Sequence, residues 1–327
     1  MQIRSQEGRI MFALLAFGVT GGSAFMFVKL LVGEISPLQI ATGRVALGAL
    51  PLLALMRFTH STPDLSPRFI LSVSVLAVID TVVPYLLVGW SQRTIPSSTA
   101  ALLVSTMPLF TTLLASRSAA ERNLSRSPLL GLATGFAGVA LLAAPTGTGF
   151  TFDSGAGMLA ATAAAFCYAA GAVYSRTLLA GADALGLSAV KLTVATCLLL
   201  PLTLADGGLS AYATLSEQGW FALATVGLFS TGIGRCVYQW IIAKAGSVRA
   251  SLVTYIVPVV SLLLGWLVLG ESIGPRTAAG GLLIVGGVAA VMFGTQLHAL
   301  GATAQSYLVK WSGTKRVGSV GSVEPRV

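Results

Sequence analysis

The residues 77–90, AVIDTVVPYLLVGW, are almost wholly apolar, yet they hold Asp80 and, four residues on, Pro84. Proline has no N–H, so in a helix Pro84 leaves the carbonyl of residue 80 without its donor. One position then offers both a carboxyl group and a freed backbone oxygen. Two readings of Asp80 stand. It pairs with Arg235 or another basic residue and holds helices together, or it binds a cation or carries a proton, as ionisable residues at membrane depth do.

Composition says what kind of element must hold such a residue. The chain is 55% hydrophobic and 9% charged, with a mean hydropathy of +0.84. A soluble domain carries about 25% charged residues, so lipid, not water, must solvate most of this surface. A crossing helix needs about 20 apolar residues. Ten stretches meet that pattern: 10–32, 37–56, 69–90, 97–116, 129–144, 155–175, 184–204, 219–242, 249–270 and 277–296.

The net charge of +9 is read as topology rather than as a nucleic-acid footprint. With the N-terminus inside, 14 Lys and Arg fall on the inner side and only Lys29, Arg93 and Arg276 on the outer. Both termini are therefore expected in the cytoplasm. Arg4 and Arg9 precede an apolar run too long for a signal peptide, with no A-x-A site after it, so it reads as an uncleaved helix. Cys167, Cys197 and Cys236 lie inside apolar spans and read as small buried hydrophobes, neither disulfides nor metal ligands.

The chain repeats itself. The segment from Trp90 aligns without a gap on the segment from Trp240, at an offset of 150. Pro108 meets Pro258, Glu121 meets Glu271 and Arg126 meets Arg276. Nearer the N-terminus the offset is 147, pairing Lys29 with Arg176 and Arg44 with Lys191. The reading is two five-helix copies, 9–145 and 154–297, followed by a basic tail at 298–327. Five is odd, so the second copy must run opposite to the first. Inverted duplication of this kind is recurrent among secondary transporters.

The five-plus-five pattern, the proline in each fourth helix and the Glu after it resemble the drug/metabolite transporter superfamily, and more specifically its EamA-type repeat. The segments that carry the resemblance are "MP…ER" and "VP…GES", and it spans nearly the whole chain. One departure is Ala120 before Glu121 where the second copy has Gly270. The resemblance implies an all-α integral membrane protein, with ten transmembrane helices as two inverted repeats, in a bacterial inner membrane. It implies a secondary carrier of small metabolites such as amino acids, acting as an exporter, as a monomer or homodimer. The expected partners are a small-molecule substrate, the lipid bilayer and, through Asp80, protons. No cofactor, metal or nucleic acid is expected.

Discontinuous helices at a repeat interface are the best sequence-level pointer to a transport site. Pro108 frees the carbonyl of Val104, Pro258 that of Thr254, and Gly234 stands opposite Pro84. The candidate cavity lies between helices three, four, eight and nine. It holds Asp80, Tyr85, Trp90, Arg235, Tyr238, Trp240 and Tyr255. Several of these have a second reading. Trp90 and Trp240 fit an interfacial aromatic belt equally well. Arg44 and Lys191 either snorkel to the interface or act as gating or charge partners. Glu121 and Glu271 read as structural, bonded to nearby N–H groups or to Arg.

Other classes fit poorly. His60 and His298 sit at cytoplasmic helix ends, a second intramembrane aspartate is missing, and no H-E-x-x-H occurs, so an enzyme is not expected. GLATGFAG has no preceding strand and no Lys-Ser or Lys-Thr after it, which argues against a nucleotide loop. A channel or facilitator pore remains the alternative.

Overall fold

A computed structural model describes residues 2–59, 63–116, 129–143, 152–287 and 289–290. Glu121, His60, His298 and the basic tail lie outside the described residues. Among those described, every regular element is helical. The helices are α1 (Gln2–Leu31), α2 (Pro37–Thr59), α3 (Pro67–Ser91), α4 (Ser97–Ala115), α5 (Leu129–Ala143), α6 (Phe152–Leu178), α7 (Ala184–Ala205), α8 (Glu217–Ala245), α9 (Ile256–Leu269) and α10 (275–287). Seven of them, α1–α4 and α6–α8, are long and apolar enough to cross a bilayer, while α5 and α9 are shorter apolar helices.

Local chemistry sets several of the ends. Ser66, Asp183 and Ser216 are N-caps whose side chains accept from the N–H three residues on, opening α3, α7 and α8. Pro67 sits at the first turn of α3, where its missing N–H costs nothing. Gly246 ends α8 at φ +88°, a conformation that a Cβ would strain.

Four helical stretches depart from α geometry, at corresponding places in the two copies. α3 passes through a π turn at Val78–Val82 and α8 through one at Val226–Ile233. α4 breaks at Ser105–Thr106, just before Met107 and Pro108. The run into α9 is a 3₁₀ stretch, Ser251–Tyr255, three residues before Pro258. Pro84 and Gly234 each stand where a π turn gives way to α-helix.

The packing is symmetric on exchange of the two copies. α1 packs against α8 and α9, while α6 packs against α3 and α4. The two second helices, α2 and α7, pack on each other; α2 also lies against α8, and α7 against α3. Each copy thus lays its first helix on the loosened third and fourth helices of the other. Gly48 of α2 and Gly232 of α8 permit one of the close approaches. A Cβ on Gly232 would stand 2.7 Å from the Gly48 carbonyl oxygen.

One expectation needs correcting. Cys197 is exposed on the bundle, not buried, while Cys167 and Cys236 are half-buried. A face turned to lipid is as apolar as a core, so hydropathy alone does not separate the two.

Candidate functional site

Asp80 lies in the π turn of α3 and is 2% exposed. Lys191 of α7 donates from Nζ to its Oδ2 at 2.5 Å. Arg235 of α8 donates from Nη2 to its Oδ1 at 3.1 Å. The same Nη2 also donates to the Asp80 backbone oxygen, the carbonyl that Pro84 leaves without a helical donor. A single aspartate therefore ties the first copy to two helices of the second. Gly171 of α6 makes room for it, since a Cβ there would stand 2.5 Å from the Asp80 Cβ.

Arg44 and Lys191 do not snorkel. Arg44 is 6% exposed and Lys191 fully buried, because each side chain finds inward partners close to its own helix. Arg44 donates from Nε to Thr231 Oγ1 at 3.0 Å, and its Cζ stands 3.7 Å from the centre of the Tyr85 ring. The Arg235 Cζ is 5.6 Å from that ring, 5.0 Å from Tyr168 and 5.9 Å from Tyr238. Aromatic faces at this range stabilise a desolvated guanidinium.

These groups border a cavity of about 90 Å³. Its polar lining comprises Arg44, Tyr85, Ser105, Tyr168, Ser230, Arg235, Tyr238 and Thr254. Its apolar lining includes Phe17, Phe25, Val28 and Val257. About 10–15 Å³ of such volume holds one water, so the space suits several waters or one small organic molecule.

The sequence candidates divide. Tyr85, Arg235 and Tyr238 line the cavity, and Asp80 stands behind Arg235 rather than on the wall. Trp90 is 42% exposed at the end of α3 and does not reach the lining. Trp240 packs instead in a cluster with Leu14 and Ile241. The side chain of Tyr255 lies outside the described residues. The cavity is also not confined to helices three, four, eight and nine. α1 supplies Phe17, Phe25 and Val28, α2 supplies Arg44, and α6 supplies Tyr168. α1 and α6 enter because the first helix of each copy packs across the third and fourth of the other, and α2 enters because it lies against α8. Tyr168 carried little sequence signal, sitting among alanines and opposite Gly21 at the offset of 147.

Polar contacts also tie the helix ends. Glu271, beyond α9, accepts from Ser97 N at 2.6 Å, from Ser98 N at 3.1 Å and from Ser98 Oγ at 2.6 Å. It thereby satisfies the orphan N–H groups that open α4. Burial pushes the Glu271 carboxyl up, but the donors of Ser98 and Ser97 outweigh this and hold it below the ordinary 4.5. Lys29 donates to the carbonyls of Gln92 and Ile95 at 2.6 and 3.0 Å. Its repeat counterpart Arg176 donates to the Ala243 carbonyl at 3.0 Å.

The EamA-like transporter family matches this chain twice, over residues 8–144 and 155–293. The uncharacterized transporter YoaV of Bacillus subtilis is 23% identical over 281 residues, covering 86% of this chain and 95% of its own. The uncharacterized inner membrane transporter YedA of Escherichia coli is 27% identical over 80% of this chain and 83% of its own. A probable terminal-alkyne amino-acid exporter of Streptantibioticus cattleyicolor is 28% identical over 62% of this chain and 66% of its own. A solved crystal structure superposes with a TM-score of 0.61 at 22% identity, covering 84% of this chain and 98% of its own, which bears on the fold alone.

Proposed function

Since the chain belongs to the EamA-like transporter family, a family of multi-pass membrane transporters, we propose that it is a secondary carrier exporting a small organic metabolite. The carrier works by alternating access between two inverted five-helix halves. Both termini face the cytoplasm of a bacterial inner membrane. The observation that carries this reading is the Asp80–Lys191–Arg235 centre, which joins the two copies beside a cavity. Equivalent packing on exchange of the copies lets two states of nearly equal energy interconvert. Amino acids are among the small metabolites that the family resemblance implies, and one relative is named as a probable terminal-alkyne amino-acid exporter. Proton coupling is assigned to Asp80, the acidic member of the centre.

Alternating access makes a prediction that separates a carrier from a pore. Ser230 lines the cavity, so Ser230→Cys, in a chain with its three native cysteines replaced by alanine, reports access to it. Sealed vesicles are exposed to a membrane-impermeant thiol reagent from either face. Reaction is expected from both faces. Adding Glu271→Gln, which loosens the hold on α4, should speed reaction from the Glu271 side and slow it from the other. Reaction from one face only, or a rise in both rates together, contradicts alternating access.

A further inference from the structure

The buried charges around the cavity do not balance. Arg44, Lys191 and Arg235 are buried among the described residues, and Asp80 is the one buried acidic side chain there. The formal excess is two positive charges. Even a neutral Lys191 would leave one. Asp80 is already engaged on both oxygens, by Lys191 and by Arg235. Among the described residues Arg44 makes one hydrogen bond, to a threonine hydroxyl, and meets a ring face. The Arg235 Nε is buried with no hydrogen-bond partner among the described residues. Both guanidiniums border the cavity and flank the same Tyr85 ring. A desolvated cation without a counter-charge is costly, and a guanidinium fork matches a carboxylate.

We propose that the missing counter-charge is the cargo: the cavity seats the carboxylate of a small organic acid against Arg44 and Arg235, with Tyr85 beside it. This rests on the carrier reading and names its substrate class. The apolar part of the lining explains why the anion is organic, since Phe17, Phe25, Val28 and Val257 offer no ion a partner and suit an apolar body. An ammonium group gains nothing comparable here, because the buried carboxylate is spent on two cations. A simple acid therefore binds at least as well as the matching amino acid, and an amine binds worst.

The test uses the purified full chain in lipid nanodiscs and four matched compounds: 3-phenylpropionate, phenylalanine, 3-phenylpropanamide and phenethylamine. Binding is read as saturable protection against thermal unfolding. The acid is expected to bind at least about tenfold tighter than the amide, the factor that one charged hydrogen bond supplies. Phenylalanine should fall no tighter than the acid. Arg44→Gln should erase the acid's advantage over the amide, while Arg44→Lys, which keeps the charge, should retain part of it. The wild-type comparison needs no variant to fold. Amide or amine binding as tight as the acid overturns the seat, as does a preference that survives Arg44→Gln or no binding of the acid at all. Phenylalanine binding well above the acid overturns it too and returns the class to zwitterions. None of these outcomes touches two-sided access at Ser230→Cys, so the seat and the carrier reading fail separately.

Discussion

Asp80 accepts from two buried cations at once, and this governs what its replacement does. Asp80→Asn leaves Lys191 and Arg235 facing each other without a counter-charge. Breaking a buried pair in this way costs about 3–5 kcal/mol. Thermal unfolding of the purified variant should shift down accordingly, and adding Lys191→Met should restore part of the loss. A double variant no more stable than Asp80→Asn alone would mean that Lys191 is not the group left stranded. Some of this centre was legible in the sequence. Pro84 announces a free carbonyl at residue 80, and Arg235 is the partner named there. Lys191 was readable only as one of two open alternatives. A lysine seven residues into a helix reaches the interface or turns inward, and the choice depends on what the neighbouring helix presents.

Irregular turns are where the elements become specific. The proline and glycine positions marked the third and fourth helices of each copy as loosened. They did not say that α3 and α8 would pass through π turns, whose extra residue per turn is a matter of hydrogen-bond register. Glu271 acts at this scale too, as the cap on α4. Its carboxyl is held below 4.5 by the Ser97 and Ser98 donors. A depressed value of this kind contributes stability above the ordinary pKa, lost as pH falls through the lower folded one. The wild type should therefore be more stable than Glu271→Gln from neutral pH down to about 4.5, with the gap closing below that. Unfolding midpoints for both proteins across the acid range check this. A gap that stays constant into acid would mean the charge of Glu271 is not what holds α4.

At the scale of the whole molecule, the duplication and the apolar spans were readable because they are patterns of composition and offset. The crossing of α1 onto α8 and α9, and of α6 onto α3 and α4, was not, because helix partners are set by packing that no single segment encodes. That crossing brings Phe17 and Tyr168, and the packing of α2 on α8 brings Arg44, to a cavity expected from only four helices. Asp80, bonded to Lys191 and Arg235, ties α3 of the first copy to α7 and α8 of the second, so the proposed movement of one copy against the other would pass through it. Counterflow in proteoliposomes tests that account most directly. Vesicles holding purified wild type or Asp80→Asn are loaded with unlabelled 3-phenylpropionate or phenylalanine and diluted into trace label, with and without a pH gradient. The account predicts transient accumulation of label in the wild type, altered by the gradient, and no response to the gradient in Asp80→Asn. Label that only equilibrates, with no overshoot for a solute that binds saturably, would contradict a carrier, and an unchanged gradient response in Asp80→Asn would remove Asp80 from the coupling.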